Sequence, residues 1–133
     1  MVTVADVRLV AHTLPYTTEG FVRDYRKFRV GRIVYASVSP DEQLMGFGFP
    51  KEQRAGLVAG DPVRFAMPAA ADLRYNWAVV RLARIDRVEL AELLLDAWCI
   101  VVSAKRSAGY LASLPPDWPH SLFAADGNDS PRE

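Results

Sequence analysis

A single cysteine, Cys99, stands in 133 residues, so no disulfide can close within the chain and a reducing compartment is expected. No apolar run reaches the roughly 20 residues that a membrane-spanning helix needs. The amino terminus carries Asp6 where a secretory signal would carry a basic segment. The expectation is a soluble, cytoplasmic protein with no membrane partner. Charge of one sign is also missing: 16 basic residues balance 16 acidic ones, and bulk electrostatics point neither to nucleic acid nor to anionic lipid.

Catalytic patterns are equally scarce. The segment GFGFPKEQ at 46–53 has neither the G-x-x-x-x-G-K-[ST] of a phosphate loop nor a third glycine at dinucleotide spacing. Gly46 and Gly48 instead read as places where a neighbour comes close. His12 and His120 lie far apart, without cysteine or carboxylate spacing that would suggest zinc, so no metal is expected. Cys99 sits in an apolar stretch, where a thiol packs as a small hydrophobe. Glu89, Glu92 and Asp96 share the wet stripe of a helix, the ordinary solvated face. No catalytic residue and no cofactor are expected, and the chain is read as a non-enzyme.

Half of the residues are hydrophobic, enough for one domain to build a core without staples. Val4, Val7, Val10, Ala11 and Leu14 recur at helical spacing behind a Thr3/Asp6 cap and stop at Pro15, which predicts an amino-terminal helix covering a sheet. TTEG at 17–20 reads as a turn, and KFRVGRIVY then alternates as a hairpin about Gly31-Arg32. In that register Val30 faces Ile33 and Phe28 faces Tyr35. LMGFGF gives a third strand, residues 50–58 a short helix, VRFAM a minor strand, and WAVVRLARI at 77–85 the last strand. Asp86 with Glu89 caps a long helix through about Ala104, on whose wet stripe Ser103 falls. The order predicts an α+β fold: an antiparallel sheet of about four strands under an amino-terminal and a long carboxy-terminal helix. The domain is placed at 1–106, with 107–133 as a Pro-rich extension whose end is flexible.

Although the total is neutral, charge is unevenly spread. Residues 23–38 carry Arg23, Arg26, Lys27, Arg29 and Arg32 against Asp24, a net of +4. Residues 73–87 carry Arg74, Arg81, Arg84 and Arg87 against Asp86, a net of +3, which leaves −7 for the rest. Arg26, Lys27, Arg29 and Arg32 stand where a β-ribbon laid on a duplex would need its phosphate contacts. The plainer reading is a solvated sheet face. DLRYNW at 72–77 is the second constellation. Arg74 and Tyr75 could add secondary contacts to nucleic acid, or Glu19, Arg74, Tyr75 and Trp77 could line a recess for a small ligand or a protein partner. A third possibility is architectural, with Glu19 pairing Arg74 and the aromatics plugging a loop.

With the elements placed, the chain resembles the MmcQ/YjbR family of small bacterial proteins. The resemblance is carried by TEG at 18–20, FRVGRIVYASVSPD, GFPKEQRAGLV, DLRYNW and LAELLLDAW at 90–98, over roughly residues 6–105. It implies a double-wing arrangement and a DNA partner, weakly bound through the basic hairpin.

Overall fold

The computed structural model describes residues 2–124. Helix α1 (Val4–Ala11) opens on a capping box in which Thr3 and Asp6 satisfy each other's backbone N–H groups. Five strands and a short helix follow: β1 (Thr17–Val22), β2 (Tyr25–Val30), β3 (Ile33–Val38), β4 (Leu44–Gly48), α2 (Lys51–Gly60) and β5 (Phe65–Ala66). Strand β6 (Trp77–Arg81) leads into α3 (Arg87–Val101), α4 (Ala104–Ser113) and α5 (His120–Ala124). The strands form one antiparallel sheet in the order β1-β2-β3-β4-β6-β5. The fold is α+β, as expected, with six strands where about four were counted.

The extra strands have simple causes. TTEG is not a turn: Thr17, Thr18 and Phe21 suit extended backbone, and the reversal comes later, at Arg23 and Asp24, both with positive φ. The other addition, β5, spans only two residues, paired to Val79 and Val80. Gly31 takes φ 60 at the β2–β3 turn, and Val30 does face Ile33. Phe28, however, faces Ala36, because a bulge inserts Tyr35 beside Val34. The insertion turns the Tyr35 ring inward, where its hydroxyl bonds Thr17 Oγ1 at 2.8 Å. Burial pushes that phenol up to about 12.

One face of the sheet makes the core. Phe28, Ala36, Phe47 and Ala78 align across four strands, and Val38, Met45, Val80 and Phe65 form the neighbouring row, all buried. Helix α3 lies across β3 and β4 with Leu90, Leu94 and Trp98 fully enclosed, while α1 packs beside α3 and reaches the sheet at the β1–β2 hairpin and Tyr35 of β3. Arg87 Nε donates to Asp6 Oδ1 at 3.1 Å and joins the two helices at their starts.

The last strand and the long helix are shorter than their sequence patterns. β6 stops at Arg81 and a 3-10 turn carries Leu82–Arg84 to the Asp86 cap. α3 ends at Val101, because Val102 is extended and Ser103 accepts from Arg106 N as the cap of α4. Ser103 therefore belongs to no stripe on α3. α4 runs straight through position 106, where the domain was expected to end, and its Tyr110 packs on Trp98 with ring centroids 5.1 Å apart. Phe123 of α5 is buried beneath the Arg87 guanidinium. Residues 107–124 thus belong to the fold, and the flexible end expected beyond them lies outside the described residues. No described helix is long and apolar enough to cross a membrane.

Since α3 supplies the wall on which the sheet is built, Leu94→Ala is expected to lower the unfolding free energy by about 3 kcal/mol. Asp86→Ala, which removes only the α3 cap, should cost about 1 kcal/mol. Urea titration of both variants measures the difference.

Candidate binding groove

Alternation along β2 divides the cations that sequence places together. Arg26 shares the helix-covered face with Phe28, whereas Lys27 and Arg29 share the other face. The two turns that flank β2 lie at its opposite ends, so Arg23 and Arg32 are separated by roughly 30 Å of extended chain. The basic stretch is therefore not one charged tip.

Glu19 gathers what lies on the helix side. Its carboxylate accepts from Arg8 Nε at 3.1 Å, from the His12 ring at 2.5 Å and from the Arg26 guanidinium, which also stacks over Phe21 at 4.6 Å. The carboxylate is 12% exposed. Burial works to raise it, but the hydrogen bonds from His12, Arg26 and Arg8 prevail and hold it at about 2. Glu19 therefore ties α1 to the β1–β2 hairpin, and Arg26 is committed to it. It does not approach Arg74: β1 and β6 are four strand spacings apart, roughly 19 Å. Neither the expected Glu19–Arg74 pair nor a recess containing both is formed.

The DLRYNW loop is held from a different direction. Arg54, on α2, is 6% exposed and donates to the carbonyls of Leu73 (2.8 Å), Tyr75 (3.1 Å) and Trp77 (2.8 Å). Asn76 completes the clamp by accepting from Lys51 N at 3.1 Å through Oδ1. Arg74 stays outside, stacked 4.9 Å over Tyr75 and bonded to its hydroxyl. Arg54 was not singled out from sequence. One signal was available: it precedes Leu57 and Val58 by three and four residues, which puts it on the buried stripe of α2.

Between the clamped loop and the hairpin, the sheet face turned away from the core becomes a groove of about 1000 Å³. Its floor is one row of cross-strand neighbours, Lys27, Ser37, Gly46 and Val79. The Trp77 indole fills the space over Gly46, where a Cβ would come within 2.5 Å of Nε1. Arg32, Ile33, Val34, Tyr75 and Asp72 line it as well, with Ile100, Val101 and Val102 from the end of α3. Burial depresses the Lys27 ammonium below its ordinary value, Asp72 opposes that, and Arg29 adds to it. Arg81 is engaged, donating to the carbonyls of Pro62 at 3.0 Å and Phe65 at 3.3 Å. Ser37 is only 5% exposed and its hydroxyl has no partner, nor has the buried Nε of Arg29. Among the described residues no three His, Cys, Asp or Glu side chains gather as a metal site.

The groove thus brings Lys27 and Arg32 together with Tyr75 and Trp77. It leaves out Glu19, Arg26, Arg29 and Arg74. Comparison with known proteins adds a family and a fold. A family model described as YjbR matches residues 12–100. The crystal structure of Deinococcus radiodurans protein DR2400, which carries a family-model domain called DUF419, is similar at a TM-score of 0.67 and 25% identity. The match covers 86% of this chain and 91% of that one. No curated protein matches the chain.

Removing the loop clamp by Arg54→Met should cost about 3 kcal/mol, since three carbonyls lose a charged donor. It should also speed hydrogen exchange at residues 72–77 selectively, read by mass spectrometry. For Glu19 the sign follows from its depressed carboxyl. The stabilisation is complete above 4.5, the unfolded value, and is lost as pH falls toward about 2. Unfolding free energy is expected to drop across that window, and Glu19→Gln to flatten the drop in urea titrations at about pH 5 and about pH 3.

Proposed function

The chain belongs to the YjbR family, and from that premise we propose that it is a non-enzymatic binding protein whose site is the groove on the open sheet face. The ligand it suits joins an anionic group to an apolar body. One observation carries this reading: Lys27 and Arg32 from the hairpin line the same depression as Tyr75 and Trp77 from the clamped loop. A concave, largely apolar surface with a few convergent polar groups is the usual form of a ligand site.

A duplex partner, which the family resemblance implies, draws on fewer groups than the sequence offered. Arg26 is bound to Glu19 on the helix side, and Arg74 is stacked on Tyr75. Lys27 lies inside the groove rather than along a ridge. What remains for phosphates is Arg29 and Arg32 near one turn, too few for the counterion release that supports backbone binding. No ion pair forms at either of these two among the described residues, so they stay available to a small anion.

A thermal-shift panel of mononucleotides, aromatic sulfonates, alkyl anions and duplex DNA separates these readings. One of the small anionic classes should stabilise the protein, by about 2.7 kcal/mol at a hundredfold excess over Kd. The gain should vanish in the Lys27→Ala/Arg32→Ala double variant, with no shift from duplex DNA. Stabilisation by duplex DNA alone would remove the groove as the binding site.

A further inference from the structure

Resting on the groove as a binding site, we propose that its ligand is an aliphatic chain ending in an anion, a carboxylate or a phosphate, with the anion over Lys27 and Ser37. Beside three aromatic rings, Tyr25, Tyr75 and Trp77, the lining holds the aliphatic side chains of Ile33, Val34, Leu44, Met67, Val79 and Ile100, along which an alkyl chain can lie. Several of these side chains are unusually open to water, Ile33 at 55%, Met67 at 46% and Ile100 at 43%. An antiparallel sheet that leaves one face in water normally makes that face polar. Here the uncovered face sets exposed aliphatic side chains and aromatic rings around the two polar residues of the floor, Lys27 and Ser37.

That row supplies the head-group contacts. Lys27 and Ser37 are direct cross-strand partners, so both side chains leave the floor on the same face, with the Lys27 ammonium over the Tyr25 ring, 5.2 Å from its centroid. Ser37 Oγ is buried and unpartnered, a hydroxyl whose desolvation is uncompensated within the chain. Burial already works against the charge on Lys27, which an arriving anion would restore. Arg29 adds a second cation beside Lys27, and its buried Nε is also unpartnered. Asp72 faces these cations from the loop and sets a limit on how much negative charge the head group can bring.

Titration calorimetry on the full chain tests this with submicellar decanoate and decyl phosphate, and with hexanoate and adenosine monophosphate as contrasts. The two ten-carbon anions should bind, and the stronger of them identifies the head group. Hexanoate should bind at least tenfold more weakly, since each buried methylene is worth roughly fourfold in affinity. Lys27→Met should weaken decanoate at least tenfold. Ala69→Trp, on the exposed rim, should block it while leaving thermal unfolding unchanged. Adenosine monophosphate binding that Ala69→Trp abolishes, with no dependence of alkyl affinity on chain length, would overturn the aliphatic assignment and leave the groove standing. Alkyl anions binding equally to the wild type and both variants would place them elsewhere and overturn it too. Binding of none of the four would remove both the assignment and the groove.

Discussion

A guanidinium inside the fold decides where the open side of the sheet becomes a groove. The two terminal nitrogens of Arg54 donate to the carbonyls of Leu73 and Tyr75 in the loop and of Trp77 at the start of β6. A buried charge is tolerable only when such partners converge on it, and the loop in turn is held by that charge together with Lys51 and a short 3-10 turn at Ala70–Asp72. Fixing Trp77 at the start of β6 places its indole over Gly46, and only a glycine leaves room for it. The wall of the groove therefore depends on a residue of α2 that does not line it.

The molecule's neutrality hides a division of labour set by strand alternation. On the helix side, the Glu19 carboxylate absorbs Arg8, His12 and Arg26. Elsewhere Arg64 pairs with Asp61 and Glu89, and Arg87 with Asp6. Four acids, Glu19, Asp61, Glu89 and Asp6, carry these pairs. Among the described residues Lys27, Arg29 and Arg32 on the other side of the hairpin form no ion pair, although the sum over the chain is zero. Net charge therefore says little about this surface, because the grooved face and the helix-covered face draw on separate sets of residues.

Much of the fold was legible because it rests on local pattern: the Thr3/Asp6 and Asp86/Glu89 caps, the Gly31 turn and the alternation of β2 all stand as read. What escaped sequence depends on contacts between distant segments. TTEG extends because β2 is there to pair with it, and Tyr35 bulges because Thr17 receives its hydroxyl. Likewise α4 docks by packing Tyr110 on Trp98, a contact between separate helices. At the site, residue types were legible and company was not. Tyr75 and Trp77 of DLRYNW line the groove with Lys27 and Arg32 rather than with Glu19 and Arg74.

The small residues of β4 show how one local choice serves both sides of the sheet. A side chain at Gly48 would meet Ala97 of α3 at 3.5 Å, an ordinary contact distance, while one at Gly46 would strike the Trp77 ring. Met45 and Phe47, alternating with them, fill the core. The room left by each glycine is used by a neighbour, the Trp77 ring over Gly46 and Ala97 of α3 beside Gly48. A larger residue at Gly46 would push the Trp77 ring into the cavity and close the space over Ser37, so glycine there is a requirement of the open face and not of the core.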